Sequence, residues 1–125
     1  MNGWGLVAWG LLSLAPARLE ARLERARAAH RPVLLVFEAD WCGACRVLER
    51  GTLKDARVAK AAASFDWVRV DMSADDETTS AVSRQYGVDA LPTIVVRGAS
   101  GAERARSVGT LSTDALLRML SQGDP

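Results

Sequence analysis

Cysteine is scarce in this chain, with two residues among 125. So few exclude a small fold stapled by a disulfide framework, and a chain of this length can bury a sizeable core without one. Histidine is scarcer still: His30 stands alone. Two cysteines and one histidine fall short of the four ligands that a structural zinc site takes, so carboxylates or a second subunit would have to complete it. No apolar run reaches the roughly 20 residues of a bilayer span. Neither sign of charge dominates, with 16 Lys and Arg against 15 Asp and Glu and a net charge of +1. That balance offers nothing to nucleic acid or to an anionic membrane. Repeats, low-complexity tracts and linkers are missing as well. What is present, 49% apolar and 25% charged residues, is ordinary for a globular protein. One domain over residues 1–125 is expected.

The N-terminal run Trp4-Gly5-Leu6-Val7-Ala8-Trp9-Gly10-Leu11-Leu12-Ser13-Leu14-Ala15 carries no charge. Its apolar length suits a signal peptide, and Ser13-x-Ala15 resembles a cleavage site, but Met1-Asn2-Gly3 supplies no Lys or Arg. A first strand within residues 1–15 is expected, with a trimmed signal or membrane-segment remnant as the alternative.

Pro16 opens a helical stretch in which Leu19, Leu23 and Ala26 fall on one face, and Pro32 stops it. Val33-Leu34-Leu35-Val36-Phe37 is continuously apolar, the pattern of a central strand covered on both sides. Arg46–Arg50 reads as helix, Gly51–Asp55 interrupts it, and helical composition resumes from Ala56 to Ser64. Trp67–Asp71 alternates like a strand. Asp75-Asp76-Glu77 starts a helix that runs to about Tyr86, where Gly87 ends it. Thr93–Val96 is a further strand, Gly98–Gly101 a hairpin turn, and Glu103–Val108 its partner. Ser112 caps a last helix carrying Leu116, Leu117 and Leu120. The order β-α-β-α-β-α-β-β-α predicts an α/β sheet with parallel strands, helices on both faces and an antiparallel edge from the hairpin.

Both cysteines lie in Ala39-Asp40-Trp41-Cys42-Gly43-Ala44-Cys45-Arg46, directly after the apolar strand. Thiols at i and i+3 can close a small disulfide if a helix begins at the first. That sulfur then sits among unpaired backbone N–H groups at the positive end of the helix dipole, which favours thiolate, the form that attacks disulfides. Two inert core cysteines are the plainer alternative, but the βαβ setting points to redox chemistry.

These residues carry a resemblance. Asp40-Trp41-Cys42-Gly43-Ala44-Cys45-Arg46 after a buried strand, then Leu91-Pro92-Thr93 before another, and Val108-Gly109 at the close of the last strand, resemble the thioredoxin superfamily. Ala-Asp-Trp-Cys-x-Ala-Cys, the Thr52–Asp55 interruption followed by Val58, and Leu-Pro-Thr are most similar to one branch, the C-terminal thioredoxin-like domains of DsbD-type thiol-disulfide interchange proteins. The resemblance implies a thioredoxin-like fold and a protein-disulfide reductase that works through a mixed disulfide, without metal or organic cofactor. It casts Cys42 as the exposed attacking thiolate, Cys45 as the shielded resolving thiol, and Trp41 as an apolar lid. Pro92 would be cis and face the disulfide, while Leu91, with Thr93 beyond it, would offer backbone to an extended substrate strand. Implied partners are disulfide-containing proteins and an electron donor, either a membrane thiol transporter in the periplasm or envelope or a thioredoxin reductase in the cytoplasm. A monomer is expected. A binding module of the same fold, or an isomerase or oxidase, are the other functions the resemblance allows.

Two departures stand out. The superfamily's buried aspartate, six residues before the first cysteine, is Val36 here, and its accompanying lysine is matched to Trp67. The usual buried proton acceptor is therefore expected to be missing. Glu49, one turn beyond Cys45, would supply the acid–base help, or else pair with Arg46 or Arg50 as a solvated residue. The spacer Gly43-Ala44 lacks the histidine of oxidants and isomerases, which implies a reducing to intermediate potential. His30 is expected in an exposed loop.

Overall fold

A computed structural model describes residues 16–123. The strand expected within residues 1–15 lies outside them. The first described helix, α1 (Pro16–Ala28), buries Leu19, Leu23 and Ala26 and leaves Arg18, Arg25 and Arg27 exposed. His30, exposed and with a positive φ of 56°, turns the chain into the central strand β1 (Val33–Glu38). Every residue of β1 is buried, as a run without polar alternation requires.

After β1 come α2 (Gly43–Arg50), a 3-10 turn at Thr52–Lys54 and α3 (Ala56–Ala61). Asp55 caps α3 by accepting from the Arg57 amide at 2.9 Å, and the Arg57 side chain, bonded to the same carboxylate, lowers its pKa. The helical composition of residues 56–64 thus yields a shorter helix than expected. Strand β2 (Asp66–Asp71) follows, then α4 (Glu77–Tyr86), β3 (Thr93–Arg97), β4 (Glu103–Val108) and α5 (Thr113–Gly123). The Asp76 carboxylate caps α4 and Gly87 ends it with φ 66°, a left-handed turn natural to glycine. Ser112 caps α5 through a 3.1 Å bond from the Ala115 amide.

The described residues form a four-stranded sheet in the order β2-β1-β3-β4. β1 and β2 are parallel, with Val33 beside Asp66 and Glu38 beside Asp71. β3 runs antiparallel to β1, with Phe37 beside Thr93. This corrects the expectation of parallel strands up to the hairpin. The registers give the reason. β2 ends at Asp71 next to Glu38, and β3 starts at Thr93 next to Phe37, so α4 returns the chain to the sheet end it left. The next strand can only run back down.

Side chains alternate across β1. Val33, Leu35 and Phe37 pack with α1, α4 and the buried valines of β2. Leu34 and Val36 pack on the other face with Leu48, Leu53, Val58, Leu116 and Leu120. Helices therefore cover both faces, and each core excludes water from one side of β1. The last residue on that second face, Glu38, is charged.

Candidate active site

The site forms where β1 stops. Cys42 caps α2 with extended backbone (φ −90°, ψ 107°), and its Sγ accepts a 3.1 Å hydrogen bond from the Cys45 amide. Cysteine at this position therefore takes the role that serine or aspartate plays at other helix starts. Cys42 and Cys45 are joined as a disulfide, with their Cα atoms 5.2 Å apart. Gly43 and Ala44 between them are exposed.

Both cysteines are covered: Cys42 is 6% exposed and Cys45 3%. The expectation of an exposed first cysteine is corrected for this oxidised form, because Ala39 and the Leu91 side chain pack against the pair. The Leu91–Pro92 peptide is cis, as the resemblance implied. The Pro92 carbonyl accepts from the Gly109 amide at 2.8 Å and the Thr93 hydroxyl donates to the Ala90 carbonyl at 2.7 Å, so the turn is held from both sides. The Leu91 N–H and C=O take no hydrogen bond among the described residues. Trp41 is 64% exposed, and its indole N–H donates to the Ser73 carbonyl at 3.3 Å. It stands as one wall of a groove of about 420 Å³ whose other walls include Met72, Ser83, Ala90 and Leu91.

Behind the disulfide lies a second, polar space. A cavity of about 290 Å³ is lined by Glu38, Cys45, Glu49 and Asp71, with Ala39, Asp40, Arg46 and Ser73. Glu38 is only 4% exposed, and its Oε2 accepts no hydrogen bond among the described residues. Burial pushes its carboxyl up to about 7, against the pull of Arg69 and with the push of Glu49 and Asp71. Glu49 accepts a 3.1 Å ion-pair bond from Arg69 rather than from Arg46 or Arg50.

The tertiary structure adds two residues to the sequence expectation. Trp67 sits beside Leu34 and donates its indole N–H to the Ala62 carbonyl at 3.1 Å. The cation beside Val36 is Arg69. The usual acid is absent at Val36, but a buried carboxyl lies close by: Glu38 is two residues past Val36 and so on the same face of the strand. Sequence reading passed over both residues. The signals were a lone acid closing an apolar run and a lone cation inside Trp67–Asp71, at matching parity in two adjacent strands.

His30 lies at the opposite end of β1 from the cysteines. Among the described residues no three His, Cys, Asp or Glu side chains are grouped so as to hold a metal ion, and no helix is long and apolar enough to cross a membrane.

The chain is similar to known proteins in sequence and fold. A family model for a thioredoxin-like domain matches residues 19–124. A thiol:disulfide interchange protein DsbD from Pseudomonas sp. (strain JR1 / K1) is 34% identical over 100 residues, which are 80% of this chain and 17% of that protein. The chain thus spans about a fifth of the length of the curated relatives it matches. The oxidised DsbD C-terminal domain from Neisseria meningitidis superposes with a TM-score of 0.76 at 26% identity, covering 86% of this chain and 95% of that one. A thioredoxin from Fasciola hepatica gives a TM-score of 0.67 at 25% identity, covering 89% and 96%.

Proposed function

Because the chain belongs to the thioredoxin-like domain family of disulfide oxidoreductases, we propose that it reduces protein disulfides through Cys42 and Cys45. The observation that carries this reading is the Cys42 cap of α2, closed onto Cys45 by a disulfide and packed against Leu91 beside the cis Pro92.

Once the pair is reduced, the Cys42 sulfur keeps the capping position, where the Cys45 amide and the helix N-terminus favour negative charge. The Cys42 thiolate attacks one sulfur of a partner disulfide. That bond breaks, the second partner sulfur leaves as thiolate, and Cys42 is left in a mixed disulfide. Cys45, losing its proton, then attacks the Cys42 sulfur. The Cys42–Cys45 bond forms, the mixed bond breaks, and the partner leaves fully reduced. Two electrons have moved to the partner, and the chain stands in the oxidised state seen in the structure. The disulfide is the whole redox group, so the chemistry calls on no metal or organic cofactor.

An extended partner segment fits the groove beside Trp41, where the Leu91 backbone offers a donor and an acceptor. Such pairing supplies affinity from main-chain hydrogen bonds with little demand on partner sequence. With Gly43-Ala44 as spacer, no imidazolium stabilises the Cys42 thiolate, which favours a reducing to intermediate potential over an oxidant's. Likeness to DsbD supports a place in the bacterial periplasm or envelope and a membrane thiol transporter as electron donor.

The test is reduction of insulin disulfides with dithiothreitol as donor. The unmodified protein should accelerate the reaction, Cys42→Ser should abolish it, and Cys45→Ser, reduced and then freed of dithiothreitol, should accumulate a mixed disulfide with insulin visible by mass. An inactive unmodified protein would overturn the reductase reading in favour of a binding module.

A further inference from the structure

We propose that Glu38 is the group that exchanges a proton with Cys45, in place of the carboxylate that Val36 removes and in preference to Glu49. The inference rests on the disulfide-exchange reading above and names the residue that serves its second step.

Geometry carries it. Glu38 is the last residue of β1 and points to the face covered by α2, the helix that bears Cys45. Glu38 and Cys45 line one cavity, whose volume of about 290 Å³ has ample room for bridging water. Buried carboxyl oxygens nearly always find a hydrogen-bond partner, yet Glu38 Oε2 accepts none among the described residues while being enclosed. A carboxyl in that condition is suited to hold a proton and release it to a neighbour.

The other acids around the cavity are committed elsewhere. Glu49, on α2, is ion-paired with Arg69 at 3.1 Å. Asp71, on β2, accepts from both the amide and the hydroxyl of Ser73. Asp40 is exposed in the turn after β1. Arg46 from α2 lines this space, and Arg69 from β2, paired with Glu49, supplies positive charge that acts on Glu38. Arg69 favours the ionised form of Glu38, while burial and the two flanking acids oppose it, which holds the group near neutrality where proton exchange is most efficient.

In the resolving step the Cys45 thiol gives its proton to the Glu38 carboxylate as its sulfur attacks Cys42. The Cys42–Cys45 bond forms, the bond from Cys42 to the partner breaks, and the partner sulfur departs with the electron pair. Glu38 then releases the proton through the cavity. In the reverse direction protonated Glu38 supplies the proton that quenches the Cys45 thiolate. A negative charge on the Cys45 sulfur after reduction would oppose ionisation of Glu38 across the cavity they share.

The experiment uses Ellman's reagent on the reduced protein, followed by stopped flow from pH 5 to 9. The first thionitrobenzoate released reports attack by Cys42, and the second reports resolution by Cys45. Release of a single equivalent by the unmodified protein would sink the exchange reading itself. With two equivalents released, Glu38→Gln should slow the second phase on the order of a hundredfold at neutral pH. It should also erase the inflection of that phase with pH and leave the first phase nearly unchanged. Glu49→Gln should keep the inflection. An unaltered second phase in Glu38→Gln, or loss of the inflection in Glu49→Gln instead, would overturn the proposal. A measurement on the unmodified protein guards against a variant that fails to fold. The side-chain carboxyl ¹³C signal of Glu38 should titrate at different pH in the oxidised and reduced proteins, and identical curves would count equally against the assignment.

Discussion

A glutamate buried in the floor of the site costs stability that depends on pH. Burial raises the Glu38 pKa from 4.5 to about 7, while the unfolded chain holds it at the ordinary value. Between those two values the folded protein binds the extra proton, so stability falls as pH rises through the window and levels off above it. The full contribution is present below the unfolded value and lost once pH passes the folded one. Glu38→Gln, which keeps the shape and discards the titration, should gain on the order of 3 kcal/mol relative to the unmodified protein between acid and slightly alkaline pH. Urea denaturation of both proteins at about pH 4.5 and pH 8 checks the sign, since groups common to both cancel in the difference. A gap that narrows with rising pH would contradict the assignment. Two side chains show why this residue escaped sequence reading. Val36 is apolar where the superfamily has its acid, and Glu38 closes the same apolar run on the same strand face, but that its carboxyl is enclosed follows only from what packs over it in the fold. Arg69 was hidden in the same way, because only the β1–β2 register sets it beside Val36.

At the scale of the element, α2 converts a pair of thiols into a reactive one. Its cap is a sulfur, its first turn is Gly43-Ala44, and only Cys45 and Leu48 along it are buried. Ala44 is exposed, so a larger side chain there meets solvent and leaves the core alone. Ala44→His should place an imidazolium in the spacer, favour the Cys42 thiolate and make the disulfide more oxidising. Each tenfold shift in the exchange constant is about 30 mV in potential. Equilibration against glutathione reads that potential, and an unmoved or lower value would contradict the role given to the spacer. Most elements were legible from local pattern. The unbroken apolar run gave a buried β1, Asp76 and Gly87 bracketed α4, and Ser112 capped α5. Strand direction was not legible. Alternation of helices and strands suggests parallel pairing, whereas β3 runs antiparallel because α4 ends at the edge where β2 left off.

The whole molecule works as a sheet pinned between two helical layers, with the disulfide at one end. Packing on the active-site side leaves no slack at Gly123, the last residue of α5. A Cβ there would lie 2.7 Å from Val96 Cγ1 and 3.0 Å from the Phe65 ring. Gly123→Ala should therefore destabilise the protein by about 1–3 kcal/mol through overpacking. Its effect on the redox potential should be small, because α5 touches the sheet and not the cysteines. Thermal unfolding and the glutathione equilibrium separate the two, and a potential shift as large as that of Ala44→His would show that the layers are coupled. On the opposite layer, Arg22 of α1 ties to Asp66 of β2 at 2.8 Å.

Local physics written into the chain determined the apolar central strand, the helix caps and a cysteine pair at a strand-to-helix junction. Spacing and side-chain chemistry act over a few residues, and those features need nothing more. Tertiary structure decided what surrounds the pair. Residues far apart in sequence meet there: Leu91 packs against the cysteines and walls the groove, Glu38, Glu49 and Asp71 line one polar cavity with Cys45, and Arg69 pairs with Glu49 beside it. Strand order, register and burial set those meetings, and burial turns an unremarked glutamate into a carboxyl that titrates near neutrality.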